Sequence, residues 1–180
     1  MCTTELGSVE ALRAEFERRG VKVAALSCSD AASHKEWEMD IVAVNQCRGP
    51  GLHFPIISDA DRSLAHKLGM IDAVARDDKS GLPMTCCAVF IIGPDKTLKL
   101  SLLYPASTGH NFGEVLRVLD SLQLTAAHSC ATPANWKGGD KCMVLPELSA
   151  EEARSKFPRG VEVAKVPSGR EYLRFTPDPR

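Results

Sequence analysis

Short apolar runs of strand length alternate with stretches of helical periodicity over the first 124 residues, and this alternation narrows the possible folds more than any other feature. Apolar residues recur at three- and four-residue spacing in the helical stretches, which are residues 3–19, 37–44, 62–68 and 111–124. The strand runs are residues 21–27, 54–57, 86–92 and 98–104, and a Gly-Pro-Asp turn at 93–95 joins the last two as a hairpin. This order predicts an α/β domain with a mixed sheet.

The composition changes after about residue 127, where prolines and glycines separate short segments. Ser149 followed by Glu151 and Glu152 predicts a capped helix over residues 149–157. Residues 161–175 predict a hairpin that turns at a Pro-Ser-Gly sequence. We therefore expect one domain over residues 1–127 and a small α+β domain over residues 128–180.

Charge and hydropathy exclude several classes of function. The 22 basic and 23 acidic residues are spread along the chain and give a formal net charge of -1, unlike a nucleic-acid binder or a basic membrane anchor. No apolar run approaches the roughly 20 residues that a transmembrane helix needs. The first ten residues, MCTTELGSVE, lack the basic and apolar regions of a secretion signal. We therefore expect a cytoplasmic protein.

The cysteines and histidines show no ligand spacing. The seven cysteines are irregularly spaced and none form a CxxC pair, which argues against a secreted disulfide framework, a zinc ribbon and a thioredoxin-type dithiol. The five histidines form no HExxH or comparable motif. Free thiols in a reducing compartment, and no metal site, are the expectation.

Cys2 stands at the start of the first predicted helix. Backbone N–H groups and the positive end of the helix dipole at such a position stabilise a thiolate and raise its reactivity. Many cysteines at helix starts are nevertheless inert, so the placement alone does not assign a function.

The segment around Cys2 carries a family resemblance. The sequence CTTELG at residues 2–7 resembles the peroxidatic-cysteine segment of the one-cysteine peroxiredoxins, the peroxiredoxin-6-like group. Further segments are similar to that family in the same order: FPIISD (54–59), FIIGPDK (90–96), LYPASTG (103–109), NWK (135–137), MVLP (143–146) and YLRFTP (172–177). The resemblance therefore covers essentially the whole chain.

The resemblance implies a fold and an activity. Residues 1–127 would form a thioredoxin-like, AhpC/TSA-type peroxiredoxin domain, and residues 128–180 the C-terminal domain of the family, usually in a homodimer. Cys2 would reduce hydrogen peroxide or an organic hydroperoxide and become a sulfenic acid, which an external thiol such as glutathione reduces again. An antioxidant enzyme of this kind needs no metal, haem or flavin.

The resemblance starts only at Cys2, whereas the family motif reads Pro-x-x-x-Thr-x-x-Cys. Met1 alone precedes the cysteine, so the motif proline, its threonine and the N-terminal strands have no counterpart in this sequence. Without the strand that leads into the helix, we expect the strands near residues 21–27 and 86–92 to lack a neighbouring strand along one edge, with unpaired backbone groups there. The chain is then either a fragment or a fold with a compromised sheet.

Three further residues are candidates for supporting the site. Cys87 matches the active-site arginine of the family, and His110 follows Thr-Gly where the family has another arginine. Glu5 is similar to a glutamate in the polar network of the family, although it equally suits a helix N-terminus. Because neither Cys87 nor a neutral His110 supplies a guanidinium charge, we expect Cys2 to be less reactive than in a complete site.

Two alternatives stay open at this point. The chain is either an active thiol peroxidase or a catalytically impaired, peroxiredoxin-like dimerisation or redox-sensing partner. Cys87 is either a small apolar residue of a buried strand or a resolving cysteine for Cys2. The second role requires Cα atoms within about 7 Å of each other, and a position that matches a long arginine side chain argues against such closeness.

Overall fold

We describe the fold from a computed structural model, in which residues 1–71 and 81–180 are described. The chain forms two compact units, Met1–Phe112 and Gly113–Arg180. The helix after the β-hairpin thus belongs almost entirely to the second unit. The predicted domain boundary at residue 127 stays a prediction.

Residues 1–71 and 81–112 of the first unit contain four helices. They are α1 (Cys2–Ala11), α2 (Arg13–Arg18), α3 (Ala31–Val44) and α4 (Ser63–Lys67). The prediction of one continuous helix over residues 3–19 is wrong, because the backbone of Leu12 (φ -94°, ψ 11°) leaves the helical region and separates α1 from α2. The Asp30 carboxylate caps α3 by accepting the backbone N–H of Ser33 at 2.8 Å.

The strands described in the first unit form two separate ladders. β1 (Ala25–Ser27) pairs in parallel with β2 (Ile56–Ser58), and β3 (Cys87–Ile92) pairs antiparallel with β4 (Leu98–Tyr104) as the predicted hairpin. Within residues 1–71 and 81–180, β1 and β3 each pair along one edge and not with each other. Both strands are mostly half-buried.

The second unit is an α+β assembly around a four-stranded antiparallel sheet. Its elements are α5 (Phe112–Ala127), β5 (Cys130–Ala131), β6 (Cys142–Val144), α6 (Ala150–Lys156), β7 (Glu162–Val163) and β8 (Arg174–Thr176). The strand order is β5-β6-β8-β7, which confirms the predicted hairpin as β7 and β8. The predicted helix cap is also confirmed, because Ser149 and Glu152 form a reciprocal capping box at the start of α6.

A contiguous apolar core holds the second unit together. Its buried members are Leu124, Cys130, Trp136, Cys142, Val144, Ala153 and Phe157. The Arg174 side chain is buried beside this sheet and donates to the carbonyls of Leu145 and Leu148 at 2.8 and 2.7 Å. Among the described residues, no helix has the length and apolar character needed to cross a bilayer.

Candidate active site

Cys2 is the first residue of α1, and its side chain is exposed. The carbonyl of Met1 accepts the backbone N–H groups of Thr4 and Glu5 at 2.9 and 3.2 Å, which sets the first turn. The Thr4 hydroxyl donates to the same carbonyl at 2.6 Å. Cys2 therefore lies in solvent at the end of a helix where backbone N–H groups favour an anion.

Helix α3 fixes this first turn from the side. The indole Nε1 of Trp37 donates to Thr3 Oγ1 at 3.1 Å, and the side-chain amide of Asn45 donates to the Thr3 carbonyl at 3.0 Å. The two helices approach closely at Gly7, where an added Cβ would lie 1.9 Å from Cγ of Asn45. The residue next to Cys2 is thus held by two side chains of a neighbouring helix.

Three reactive side chains meet at the start of α1. The ligand atoms of Cys2, Glu5 and Cys87 all lie within 4.8 Å of one another, and we call this group the thiol cluster. Burial, and then the charges of Cys2 and Glu5, raise the pKa of Cys87 to about 12. A hydrogen bond from the Cys87 thiol to the Cys2 sulfur also contributes to the raised pKa of Cys87. At neutral pH Cys87 is therefore a protonated thiol that donates toward Cys2.

Glu5 connects the thiol cluster to a buried imidazole. Its Oε1 accepts the backbone N–H of His110 at 2.7 Å and lies 3.0 Å from Nδ1 of the same residue. The His110 ring stacks on Tyr104 with a centroid separation of 4.4 Å. Within the described part of the chain, the buried Nε2 of His110 has no hydrogen-bond partner.

The structure thus brings together all four residues that the sequence proposed for the site. Cys2, Glu5 and Cys87 are in direct proximity, and His110 joins them through Glu5. The roles of these residues stay predictions. Sequence reasoning missed Tyr104, which lies opposite Cys87 in the β3–β4 register. The Gly-Pro-Asp turn indicates the hairpin, but a register shift between Ile91 and Ile92 decides which residue of β4 lies opposite Cys87, and no signal in the sequence reports that shift.

The thiol cluster is also a possible donor set for a cation. Two thiolates and a carboxylate are ligands that Zn²⁺ uses in proteins, with a water or a fourth side chain completing a tetrahedral site. Neither the spacing of the cysteines nor that of the histidines in the sequence indicates this combination of two cysteines and a glutamate. The short separation of the two sulfurs equally suits the formation of a disulfide between them.

Two family profiles match the chain. The AhpC/TSA family matches residues 1–101, and the C-terminal domain of 1-Cys peroxiredoxin matches residues 121–160. The first match includes Cys2, Glu5 and Cys87.

Individual relatives match over nearly the whole chain. Peroxiredoxin-6 of Gallus gallus is 55% identical over 180 residues, and peroxiredoxin-6 of Homo sapiens is 53% identical over 181 residues. Each alignment covers 99% of this chain and 80% of the relative.

Two solved structures are similar in fold and sequence. Peroxiredoxin 6 of Arenicola marina superposes with a TM-score of 0.94 at 57% identity, covering 99% of this chain and 80% of that chain. A yeast mitochondrial 1-Cys peroxiredoxin superposes with a TM-score of 0.84 at 36% identity, covering 98% of this chain and 79% of that chain. That yeast structure concerns the thiol-resolving mechanism of the protein via the glutathione and thioredoxin systems.

Proposed function

The chain belongs to the one-cysteine peroxiredoxins of the AhpC/TSA family, which are thiol-dependent peroxidases with a thioredoxin-like fold and an antioxidant role, and we propose that Cys2 is its peroxidatic cysteine. The observation that carries the proposal is the exposed Cys2 sulfur at the N-terminus of α1, within 4.8 Å of Cys87 and Glu5.

The reaction begins with attack of the Cys2 thiolate on one oxygen of the peroxide. An S–O bond forms, the O–O bond breaks, and the leaving hydroxide or alkoxide takes a proton to become water or an alcohol. Cys2 is oxidised to a sulfenic acid in this step. The Cys87 thiol stabilises the attacking thiolate by donating toward it, and the positive end of the α1 dipole favours a negative charge at the same place.

The charges around Cys2 set how fast that step is. The Glu5 carboxylate lies within 4.8 Å of the sulfur and opposes a second negative charge there. His110 offsets part of this charge through its backbone N–H and its ring. Cys87 donates a hydrogen bond but carries no positive charge, so we propose a peroxidase slower than a family member with an arginine at this position.

We propose hydrogen peroxide and organic hydroperoxides as substrates, and an external thiol such as glutathione as the reductant, with no prosthetic group. The 36% identical yeast relative, which is described with glutathione and thioredoxin systems, supports the reductant class. A homodimer, a cytoplasmic location and the division into domains 1–127 and 128–180 complete the proposal. Light scattering on the purified chain measures the oligomeric state.

A second candidate function is a catalytically impaired redox-sensing or dimerisation partner. The observation that favours it is the make-up of the thiol cluster, which holds two sulfurs and a carboxylate within 4.8 Å of one another and no guanidinium. Such a protein would oxidise at Cys2 without turning over.

Stopped-flow peroxide consumption distinguishes the two functions and tests Cys2. With excess thiol reductant, we expect steady consumption by the chain and by Cys28→Ser, a matched control at a half-buried cysteine outside the thiol cluster. Cys2→Ser should lose this activity. Equal rates in the chain and in Cys2→Ser contradict the peroxidatic role of Cys2, and a single turnover without steady consumption favours the sensor.

A further inference from the structure

Two pairs of cysteine side chains lie near each other in different surroundings. Cys130 and Cys142 belong to the same apolar core of the second unit, where they are 2% and 0% exposed. Cys2 and Cys87 hydrogen-bond in the first unit, where Cys2 is exposed and Cys87 is half-buried. A peroxide in solution therefore reaches the second pair at Cys2 and has no such access to the first pair.

The Cys2 and Cys87 sulfurs are close enough for a bond with small movements. They lie within 4.8 Å of each other, and a disulfide needs a separation of about 2.05 Å. Rotation about the Cα–Cβ bond moves a sulfur by a comparable distance. Cys2 is exposed in the first turn of a helix, where the backbone also frays most readily. Although Cys87 matches the position of a long arginine side chain, its sulfur and that of Cys2 lie within 4.8 Å of each other.

Neighbouring residues make the choice of partner specific. Cys86 precedes Cys87 directly but lies before the start of β3, and its sulfur is not a member of the thiol cluster. Cys87 is the one whose sulfur lies in the thiol cluster with Cys2. Cys87 is therefore the expected partner of Cys2, and the adjacent Cys86 serves as an internal control.

From these contacts we propose that Cys87 is a resolving cysteine, which attacks the oxidised Cys2 and closes an intramolecular Cys2–Cys87 disulfide. The proposal rests on the proposed function, since it requires that peroxide first oxidises Cys2. The chain would then use two cysteines in its catalytic cycle, although it belongs to a family that is named for using one.

The cycle balances in three steps. Peroxide takes two electrons from Cys2, whose sulfur gains an S–OH group while water or an alcohol leaves. Cys87 then loses its proton and its thiolate attacks the Cys2 sulfur, so that an S–S bond forms, the S–O bond breaks and the hydroxyl leaves with a proton as water. Two equivalents of an external monothiol, or one dithiol, reduce the disulfide and are themselves oxidised to a disulfide.

Resolution also protects Cys2 from further oxidation. A sulfenic acid that meets a second peroxide becomes a sulfinic acid, which ordinary thiols do not reduce. A neighbouring thiol competes with that reaction because its reaction is intramolecular and its effective concentration is high. Loss of Cys87 should therefore increase overoxidation without preventing the first oxidation of Cys2.

Peptide mapping after peroxide treatment tests the proposal directly. The full chain, reduced, desalted and kept in EDTA to exclude metal ions, receives one equivalent of hydrogen peroxide and is then alkylated and digested with trypsin. Cys2 lies in the tryptic peptide of residues 1–13, and Cys86 and Cys87 share the peptide of residues 80–96. We expect these two peptides joined, with fragmentation between residues 86 and 87 placing the link at Cys87.

Three variants make the result interpretable. Cys87→Ser should give no link and should accumulate sulfenic acid at Cys2, seen as a dimedone adduct, whereas Cys86→Ser should still give the link. Cys130→Ser should also give the link, because that residue belongs to the buried pair. If circular dichroism shows that Cys87→Ser is unfolded, the peptide map of the unmodified chain alone tests whether the Cys2–Cys87 link forms.

The outcomes separate this proposal from the proposed function. Equal dimedone labelling of Cys2 in the chain and in Cys87→Ser, with no joined peptide, overturns the resolving role and leaves Cys2 as the peroxidatic residue. Absence of both labelling and linkage after peroxide overturns both proposals. A link from Cys2 to Cys86 in the unmodified chain also overturns the role of Cys87.

Discussion

The Cys2 sulfur lies beside the Cys87 thiol and the Glu5 carboxylate. Position 87 is the one that matches an arginine in the one-cysteine peroxiredoxins. Cys87 stays neutral, because burial and then the charges of Cys2 and Glu5 raise its pKa to about 12. A hydrogen bond from a neutral thiol stabilises a thiolate less than a charge-assisted bond does. Residue 87 therefore decides both how fast Cys2 is oxidised and how it is reduced afterwards.

Cys87→Arg should accelerate the first oxidation of Cys2 and abolish disulfide closure. An opposite charge within about 4–6 Å favours the thiolate form by an amount equal to roughly 1–3 pH units, so we expect a gain of about tenfold or more in the second-order rate with peroxide near neutral pH. Stopped-flow fluorescence of Trp37, which contacts Thr3, measures this rate.

Cys87→Ser is the matched control, since it removes the thiol without adding charge. An equal rate for Cys87→Arg and Cys87→Ser would show that the guanidinium does not reach the Cys2 sulfur.

Closure of the Cys2–Cys87 disulfide should speed up as the pH rises from 7 to 9. The thiolate of Cys87 is the attacking species, and the pKa of Cys87 is raised to about 12 first by burial and then by Cys2, Glu5 and its neighbour Cys86. Below that pKa the thiolate fraction grows about tenfold per pH unit. Oxidation of Cys2 to a neutral sulfenic acid removes one of these charges but leaves the burial.

Rapid alkylation at a series of pH values after a stoichiometric peroxide pulse measures this rate. The oxidation of Cys2 is measured separately as loss of peroxide. A closure rate that does not change between pH 7 and 9 would mean that Cys87 is not the attacking thiol.

Among the elements, α1 carries the reactive residue and α3 holds it in place. The contact at Gly7 brings Asn45 to the point where its amide donates to the carbonyls of Thr3 and Ile41 at 3.0 and 2.8 Å. A side chain at position 7 occupies the space of the Asn45 amide. The packing of α1 on α3 thus depends on one glycine.

Gly7→Ala should destabilise the chain by about 2 kcal/mol, although alanine is the better helix former by roughly 0.5–1 kcal/mol. The added Cβ would lie 1.9 Å from Asn45 Cγ, so the amide has to move and lose its two hydrogen bonds. Urea unfolding followed by tryptophan fluorescence gives the change in free energy of unfolding.

The double variant supplies the control. In an Asn45→Ala background the space is open, and Gly7→Ala should become neutral or mildly stabilising. The same cost in both backgrounds would place the effect outside this helix contact.

The sequence predicts elements better than it predicts contacts between them. Apolar periodicity located the second half of α3 and the β3–β4 hairpin, and the capping pattern at Ser149 located α6, because each depends on residues that are near in the chain. It missed the break at Leu12 and gave a strand over residues 21–27 where the structure pairs Ala25–Ser27 alone. Strand length depends on the partner, and β2 is only three residues long.

The candidate site divides in the same way. The CTTELG segment identified Cys2 and Glu5, and the resemblance singled out Cys87 and His110. The proximity of the Cys2 and Cys87 sulfurs was not predictable, because it depends on how the start of α1 meets the start of β3 far along the chain. Tertiary packing determines that distance, and no local pattern reports it.

At the scale of the whole molecule, the two units differ in how their strands are paired. β6 lies between β5 and β8 and carries two members of the apolar core, Cys142 and Val144, which are 0% and 2% exposed. β3 pairs along one edge in the part of the chain that the structure describes, and it is mostly half-buried. Paired and buried amides exchange only when a cooperative unit opens, whereas unpaired amides exchange through small local motions.

Amide hydrogen exchange should therefore be slow throughout β6 and alternate along β3. In an antiparallel edge strand, successive N–H groups point toward the partner and away from it, so every second amide of Cys87–Ile92 should lack protection. We expect the unprotected amides of β3 to exchange at least about 100-fold faster than those of β6, because opening free energies range from near zero to that of global unfolding. Residue-resolved exchange by NMR measures both strands in one sample, with the amides of β3 that face β4 as the internal control. Uniform protection along β3, equal to that of β6, would mean that a further strand pairs with its second edge. The description of β1–β2 and β3–β4 as two separate ladders would then be wrong.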